Sequence, residues 1–398
     1  MEVAAPLTLA KPSWNPLRID GTGLEPNVLL AAKLIAVCLL ATNHLRVYPD
    51  EPFLPFLPFL DALRAPFPFQ LVTEALLIGS ALALLFNRRV RMACLLLGGV
   101  IILGVVASKA YYGNNKLFCG LFILLAGLTR KGEEPSVLRW QLAIVYAGAA
   151  INKWADPDWL SGQFFSYWAG EKLEQPLFLA IASVIGIGWA GKLMCWSTML
   201  VESALGVGFA FRRFWPAAIW LGVLFHCSMT WFTGSTFSMF FYAMNASFIA
   251  VAAWPKGPLE AFYDGDCGFC ELSRRAMARI DPGGVYVWEK LQTGRAQSQY
   301  GISNDALMQR LHVVIDGDEI RSGFAAFKRM LLANPATYFF FAAAVLASGW
   351  VSAGFRSLVI AALVAFFFPL FSPLGEAAYN WIARNRHLMM GGESCQTD

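Results

Sequence analysis

The chain has 398 residues, of which 57% are hydrophobic and 15% charged, with a net charge of +4 and a mean hydropathy of +0.52. A charged fraction well below the quarter typical of soluble domains excludes an ordinary soluble protein and points to an integral membrane protein. The small positive excess is spread as short basic clusters between apolar runs, which is the pattern of orientation signals, and it excludes nucleic acid as a partner.

The N-terminal stretch MEVAAPLTLAKPSWNPLRIDGTG lacks a basic start followed by an apolar run and a small-residue cleavage site, so no removable signal peptide is expected. A spanning helix needs about 20 mostly apolar residues. Segments 28–45, 70–87, 92–108, 116–129, 136–152, 193–211, 215–232 and 236–254 are expected to supply eight. EPFLPFLPFLDALRAPFPFQ repeats proline too often for a straight helix and reads as a re-entrant or interfacial piece. Segment 176–190 is short, and either an interfacial or a spanning reading fits it. If it does not cross, then Lys11, Arg18, the cluster at 87–91, Arg130, Lys131, Arg212, Arg213 and Lys256 share one side, which the positive-inside rule makes the cytoplasm.

Polar residues inside apolar runs are costly in lipid and therefore candidate site residues. On this topology Asn115 and Lys116, Asn152 and Lys153, and His226 fall near the outer face. Glu202 lies mid-helix and needs a partner from within the bundle. A structural ion pair and a functional site are both open readings of these groups.

Five of the eight cysteines, Cys38, Cys94, Cys119, Cys195 and Cys227, lie in or beside apolar segments and read as packing residues. Cys267, Cys270 and Cys395 lie outside them. After Trp254 the composition changes. PKGPLE reads as a linker, EAFYDG as a short strand, and CGFCELSRRAMARI as a helix starting at the cysteines. GVYVWEKL reads as a second strand, LHVVIDGDEIRSG as a hairpin turning at Asp316 and Gly317, and GFAAFKRMLLA as a helix. Strand, Cys-x-x-Cys, helix, strands and helix is a thioredoxin-like order. At a helix start the free N–H groups favour a thiolate, so Cys267 is the expected nucleophile and Cys270, one turn on, the resolving thiol. Gly268 is expected to permit tight backbone between them, and Asp264 and Asp266 either oppose a low thiol pKa or pass protons. His312 reads as a structural strand residue. The competing reading is a zinc site built from Cys267, Cys270, Cys395 and His387.

Two resemblances add to this. The run YAGAAINKWADPDWLSGQFF, with Ala147, Gly148, Lys153, Asp158, Trp159 and Gly162, resembles the membrane domain of vitamin K-dependent gamma-carboxylases and their bacterial relatives, the HTTM family. YGNNKLFCGLFILLAGL and FHCSMTWFTGSTFSMFFYAM are similar to it too, over roughly residues 20–255. That likeness implies a lysine base near the outer face, at Lys153, with Asn115, Lys116, Trp159, Glu202 and His226 as substrate-binding candidates; Asn115-Lys116 stands where the carboxylases carry Asn-His.

YDGDCGFC resembles the signature of the DCC family of thiol-disulfide oxidoreductases, on Asp264, Gly265, Cys267 and Cys270. The tail YNWIARNRHLMMGGESC resembles that family's C-terminal end and ties Arg384, Asn385 and Arg386 to the same module. Apolar stretches 337–349 and 356–371 between the two matches read as a membrane hairpin inserted in the domain.

The expected architecture is a polytopic α-helical membrane bundle (1–255) plus a small α/β thioredoxin-like domain (256–398), interrupted by an apolar hairpin at about 337–371. The expected function is a membrane-bound thiol-disulfide oxidoreductase in a bacterial inner membrane, with its dithiol in the cytoplasm and the lipid bilayer and a thiol or disulfide protein or small molecule as partners. No cofactor is required by these motifs; a quinone is the candidate carrier if the dithiol feeds chemistry in the bundle. The alternatives are a carboxylase-like membrane enzyme, or an anchor bearing a structural metal site.

Overall fold

A computed structural model describes residues 14–45, 66–107, 111–233 and 238–390. It divides into two compact units: residues 21–252 with 348–358, and residues up to Asp20 with 253–347 and 359 onward.

The first unit is all helix. It runs α1 (Pro26–Ala41), α2 (Pro66–Leu85), α3 (Val90–Ala107), α4 (Asn114–Leu128), α5 (Ser136–Trp154), the short α6 (Pro157–Ser161) and α7 (Gln163–Phe165), and a π-helical turn at Ser166–Lys172. It continues through α8 (Pro176–Ile185), α9 (Ile187–Ala210), α10 (Trp215–Thr233) and α11 (Ser238–Ile249). A helix occupies each of the eight expected segments, but length and apolarity taken together correct the expectation of eight full spans. Among the described residues α3 and α9 are long and apolar enough to cross a membrane, rising to four spans if each of two bent helix pairs later in the chain counts as one. At 1.5 Å per residue the 24 residues of α9 extend about 36 Å and the 10 residues of α8 only about 15 Å. Gly186, at φ +85°, separates α8 from α9. Of the proline-rich stretch 51–70, residues 51–65 lie outside the described residues, while 66–70 form the first turn of α2 in place of the expected non-helical piece.

Small residues let these helices approach closely, as expected where lipid supplies no hydrophobic drive between them. A Cβ at Gly98 on α3 would meet the Gly120 carbonyl oxygen and the Leu124 nitrogen of α4 at 2.6 Å. Gly162 adopts φ +83°, and a side chain there would run into the backbone of Gly191 and Lys192.

The second unit holds a four-stranded sheet: β1 (Leu259–Tyr263), β2 (Tyr286–Lys290), β3 (His312–Ile315) and β4 (Glu319–Ser322), ordered β2-β1-β3-β4. β1 pairs parallel with β2 and antiparallel with β3, which pairs antiparallel with β4. Between β1 and β2 runs α12 (Gly268–Arg279); between β2 and β3 lie α13 (Arg295–Tyr300) and α14 (Asn304–Gln309); after β4 comes α15 (Gly323–Ala333). This βαβ unit, hairpin and closing helix is the thioredoxin-like order read from the sequence. The hairpin turns at Asp316 (φ +52°) and Gly317 (φ +85°), residues that tolerate left-handed backbone.

Alternation along the strands builds two cores. Leu259, Ala261, Val313 and Ile315 face Ala326 and Met330 of α15, whereas Phe262 and Val314 face Ala296 and Leu307 of α13 and α14. The central strands are therefore apolar on both faces. The edge strands carry charge, Glu289 and Lys290 on β2 and Glu319 and Arg321 on β4, which blunts edge pairing.

Beyond α15 come α16 (Pro335–Val351) and α17 (Ala353–Phe367), close to the expected apolar pair, then α18 (Ser372–Met390). The chain bends by 79° between α15 and α16 and by 69° between α17 and the helix after it. Pro335 and Pro369 sit at the bends, where a missing N–H and a fixed φ suit a change of direction.

Candidate functional site

The thiol site forms where β1 hands over to α12. Asp264 follows β1 directly and is 3% exposed. Its Oδ1 accepts from the Asp266 N–H (3.1 Å) and from Gln292 Nε2 (3.0 Å), while Oδ2 is buried without a hydrogen-bond partner. Gln292 also donates to Asp266 Oδ2 (3.1 Å) and accepts from the Gly265 N–H (3.3 Å), so the loop ahead of the cysteines is pinned to the turn after β2.

Cys267 is the N-cap of α12: its backbone is extended (φ −90°, ψ 116°) and its carbonyl accepts from the Glu271 N–H at 3.0 Å. Its own N–H donates to the Asp264 carbonyl at 3.4 Å. It is fully buried and disulfide-bonded, whereas Cys270 is a half-buried free thiol, so Cys270 is not the sulfur to which Cys267 is joined. The Gly268 expectation needs correcting. Its backbone is not left-handed and nothing lies within 4 Å of where a Cβ would sit, so tight geometry does not require glycine there.

Three helices set the electrostatics. Glu271, in the first turn of α12, receives hydrogen bonds from Arg274 (2.7 Å) and Arg275 (2.8 Å), which hold its carboxyl down to about 2. Burial pushes the Cys270 thiol above its ordinary value; Arg386 of α18 opposes this and the carboxylate of Asp264 adds to it. Arg386 Nη1 lies 3.9 Å from Cys270 Sγ, and Nη2 donates to the Met308 carbonyl of α14 at 2.5 Å. His312 is buried on β3, its Nδ1 3.0 Å from the Arg310 carbonyl oxygen.

The candidate residues of the helical unit fall into three sets. Lys153 donates to both carboxylate oxygens of Glu202 (2.9 and 2.8 Å) and lies 5.0 Å from the centre of the Trp159 ring, joining α5, α6 and α9. His226 shares a hydrogen bond of 2.6 Å with the Tyr146 hydroxyl. Lys116 donates to the Tyr111 carbonyl (3.1 Å) and sits over that tyrosine's ring, while Asn115 Oδ1 accepts from the Lys116 N–H (2.9 Å). The partner that Glu202 demands is thus Lys153. Two residues escape a motif reading: Gln292, which has no motif around it, and Lys33, fully buried within the apolar helix α1.

Among the described residues no group of three or more His, Cys, Asp or Glu is placed to hold a metal ion. Of the four zinc ligands weighed from the sequence, Cys395 and the side chain of His387 lie outside the described residues.

Residues 261–356 match the family model of DCC1-like thiol-disulfide oxidoreductase. No curated protein and no solved structure matches the chain. The matched stretch starts within β1, contains both cysteines and the other three strands, and ends inside α17. The chain carries a DCC1-like thiol-disulfide oxidoreductase domain in a protein with two to four long apolar helices.

Proposed function

We propose that the protein is a membrane-bound oxidoreductase whose working groups are the Cys267 and Cys270 thiols. The observation that carries this reading is the Cys-x-x-Cys pair at the start of α12, with Cys267 at the helix N-cap and the free Cys270 thiol one turn along. That is the arrangement a mixed disulfide and its resolving thiol require. Asp264, with one buried oxygen free of hydrogen bonds, is suited to accept or return a proton as the sulfurs change state. Replacing Cys270 by Ser tests this. The variant should accumulate adducts of Cys267 with protein or small-molecule thiols, and Cys267→Ser should not; equal adduct levels in both would defeat the assignment.

The basic loops support a cytoplasmic dithiol in a bacterial inner membrane. There it would act as a reductant, because the glutathione and thioredoxin systems keep dithiols reduced. Oxidising a dithiol releases two electrons and two protons, which is what reduction of a quinone to a quinol consumes, so a membrane quinone is the acceptor we favour for any coupling to the bundle. The HTTM-like reading of residues 20–255 and a proton-exchanging role for Lys153 belong to the same proposal. Their support is the Lys153–Glu202 pair beneath Trp159, in which moving one proton to the carboxylate would leave a neutral amine. Lys153→Met should abolish any activity of the bundle in the molecules that remain folded; an unchanged activity per folded molecule would remove Lys153 from the site.

A further inference from the structure

The stretch that matches the family ends at residue 356, yet a helix beyond it reaches the dithiol. We propose that Arg386 is a working residue of this site, its guanidinium stabilising the Cys270 thiolate that attacks the disulfide held by Cys267. The inference rests on the exchange reading above and adds a role for α18 within it.

Side chains on α18 at positions 376, 379 and 386 bind it to the thiol domain. Spacings of three and seven keep them on one face of a helix. Glu376 pairs with Arg310 at 2.6 Å and accepts from the Phe324 N–H at 3.2 Å; the Tyr379 hydroxyl accepts from the Leu311 N–H at 2.9 Å. These contacts span the ends of β3 and α15, so the helix is held in place whether or not Arg386 is present. Arg386 itself is 9% exposed, and its bond to the Met308 carbonyl aims the other nitrogen at Cys270 Sγ. A buried guanidinium with one nitrogen on a carbonyl and the other on a sulfur is poised for a thiolate, because a thiol offers it only a weak acceptor.

The groups that act on Cys270 come from the loop after β1 and from α18. Asp264, after β1, opposes its ionisation; Arg386, on α18, favours it, and Tyr379 on the same helix is close enough for the Cys270 charge to raise its hydroxyl pKa. Burial and Asp264 both favour the thiol, so Arg386 is the cation that offsets them. In the step proposed, the Cys270 thiolate attacks Cys267 Sγ and a Cys267–Cys270 disulfide forms. When Cys267 is held in a mixed disulfide with a substrate thiol, the bond from Cys267 to the substrate sulfur breaks, and that sulfur leaves as a thiolate and takes a proton from solvent. Two thiol-level sulfurs exchange places, with no net oxidation.

The test is the pH profile of Cys270 alkylation by iodoacetamide in the full-length protein, carried out in Cys267→Ser so that a single site is followed by peptide mass spectrometry. Arg386→Gln keeps a polar side chain but loses the charge. It should move the midpoint up by about one unit and slow alkylation about tenfold below it. Arg386→Lys keeps a charge and should stay within about half a unit of the parent. An unmoved midpoint in Arg386→Gln overturns the proposal, as does an equal shift in both variants, since a purely structural arginine would change stability and leave the profile alone. If Arg386→Gln fails to accumulate, a full-unit displacement in folded Arg386→Lys overturns it instead. Failure of this inference is separable from failure of the exchange reading: Cys270→Ser would still trap adducts on Cys267 when Arg386 proves silent.

Discussion

Tyr379→Phe isolates one hydrogen bond that docks α18 onto the thiol domain. The hydroxyl accepts from the Leu311 N–H at 2.9 Å, just where the chain enters β3. The ring stays, so packing is retained and the change reduces to a half-buried backbone N–H left without its acceptor. Such an orphan costs roughly 1–3 kcal/mol when fully buried, and the partial exposure of Leu311 argues for about 1–2. Spread over a local opening equilibrium, that is a factor of about 5–30 in the population of the open form. Hydrogen exchange read by mass spectrometry on the intact protein should therefore show faster exchange in peptides covering the start of β3 and in α18, with the β1 amides unchanged. Exchange at parental rates in both peptides would refute the reasoning, because α18 would then be an appendage and not part of the fold that positions Cys270.

Other outcomes follow from the same geometry. Met330 is fully buried against Leu259 and Val313, so Met330→Ala should cost about 2–5 kcal/mol, measurable as a lowered denaturation midpoint. Burial lowers the pKa of His312 below its ordinary 6.5. The unfolded chain therefore binds a proton that the folded one does not, and stability is lost as pH falls through about 6.5; His312→Asn should flatten that dependence in melts between pH 5 and 7. Removing one partner of the largely buried Lys153–Glu202 pair leaves an uncompensated charge, so Lys153→Met should destabilise by about 3 kcal/mol and the double change Lys153→Met, Glu202→Gln by clearly less. A double-mutant cycle that proves additive would show that the two groups do not depend on each other.

The parts of this protein legible in its sequence are those with local causes. The strand ahead of the cysteines, the helix that starts at them and the Asp316-Gly317 turn follow from alternation, capping position and turn chemistry within a few residues of each site. α13 and α14 were not legible, because six-residue helices show too little periodicity to distinguish them from loop. The helices of the first unit were located correctly but some of their ends were not, since apolar composition runs past the point where Gly186, or the polar Thr42 and Asn43 after α1, ends the helix. Long-range pairs were the least readable. Glu202 announces that it needs a cation, but nothing local names Lys153, 49 residues earlier. Resemblance of the tail ties Arg386 to the thiol module, but nothing local says that it meets a sulfur 116 positions away.

The central claim is that Cys267 and Cys270 exchange electrons as a pair, and redox titration of the intact protein tests it most directly. After equilibration in glutathione or dithiothreitol buffers spanning about −180 to −300 mV, thiols would be trapped by alkylation and quantified cysteine by cysteine. The five thiols of the helical unit, Cys38, Cys94, Cys119, Cys195 and Cys227, serve as internal references. The account predicts that Cys267 and Cys270 change their alkylated fraction together along a two-electron curve while the references stay flat. Invariance of both cysteines across that range, or a stoichiometric zinc ion that protects them from the alkylator, would contradict it.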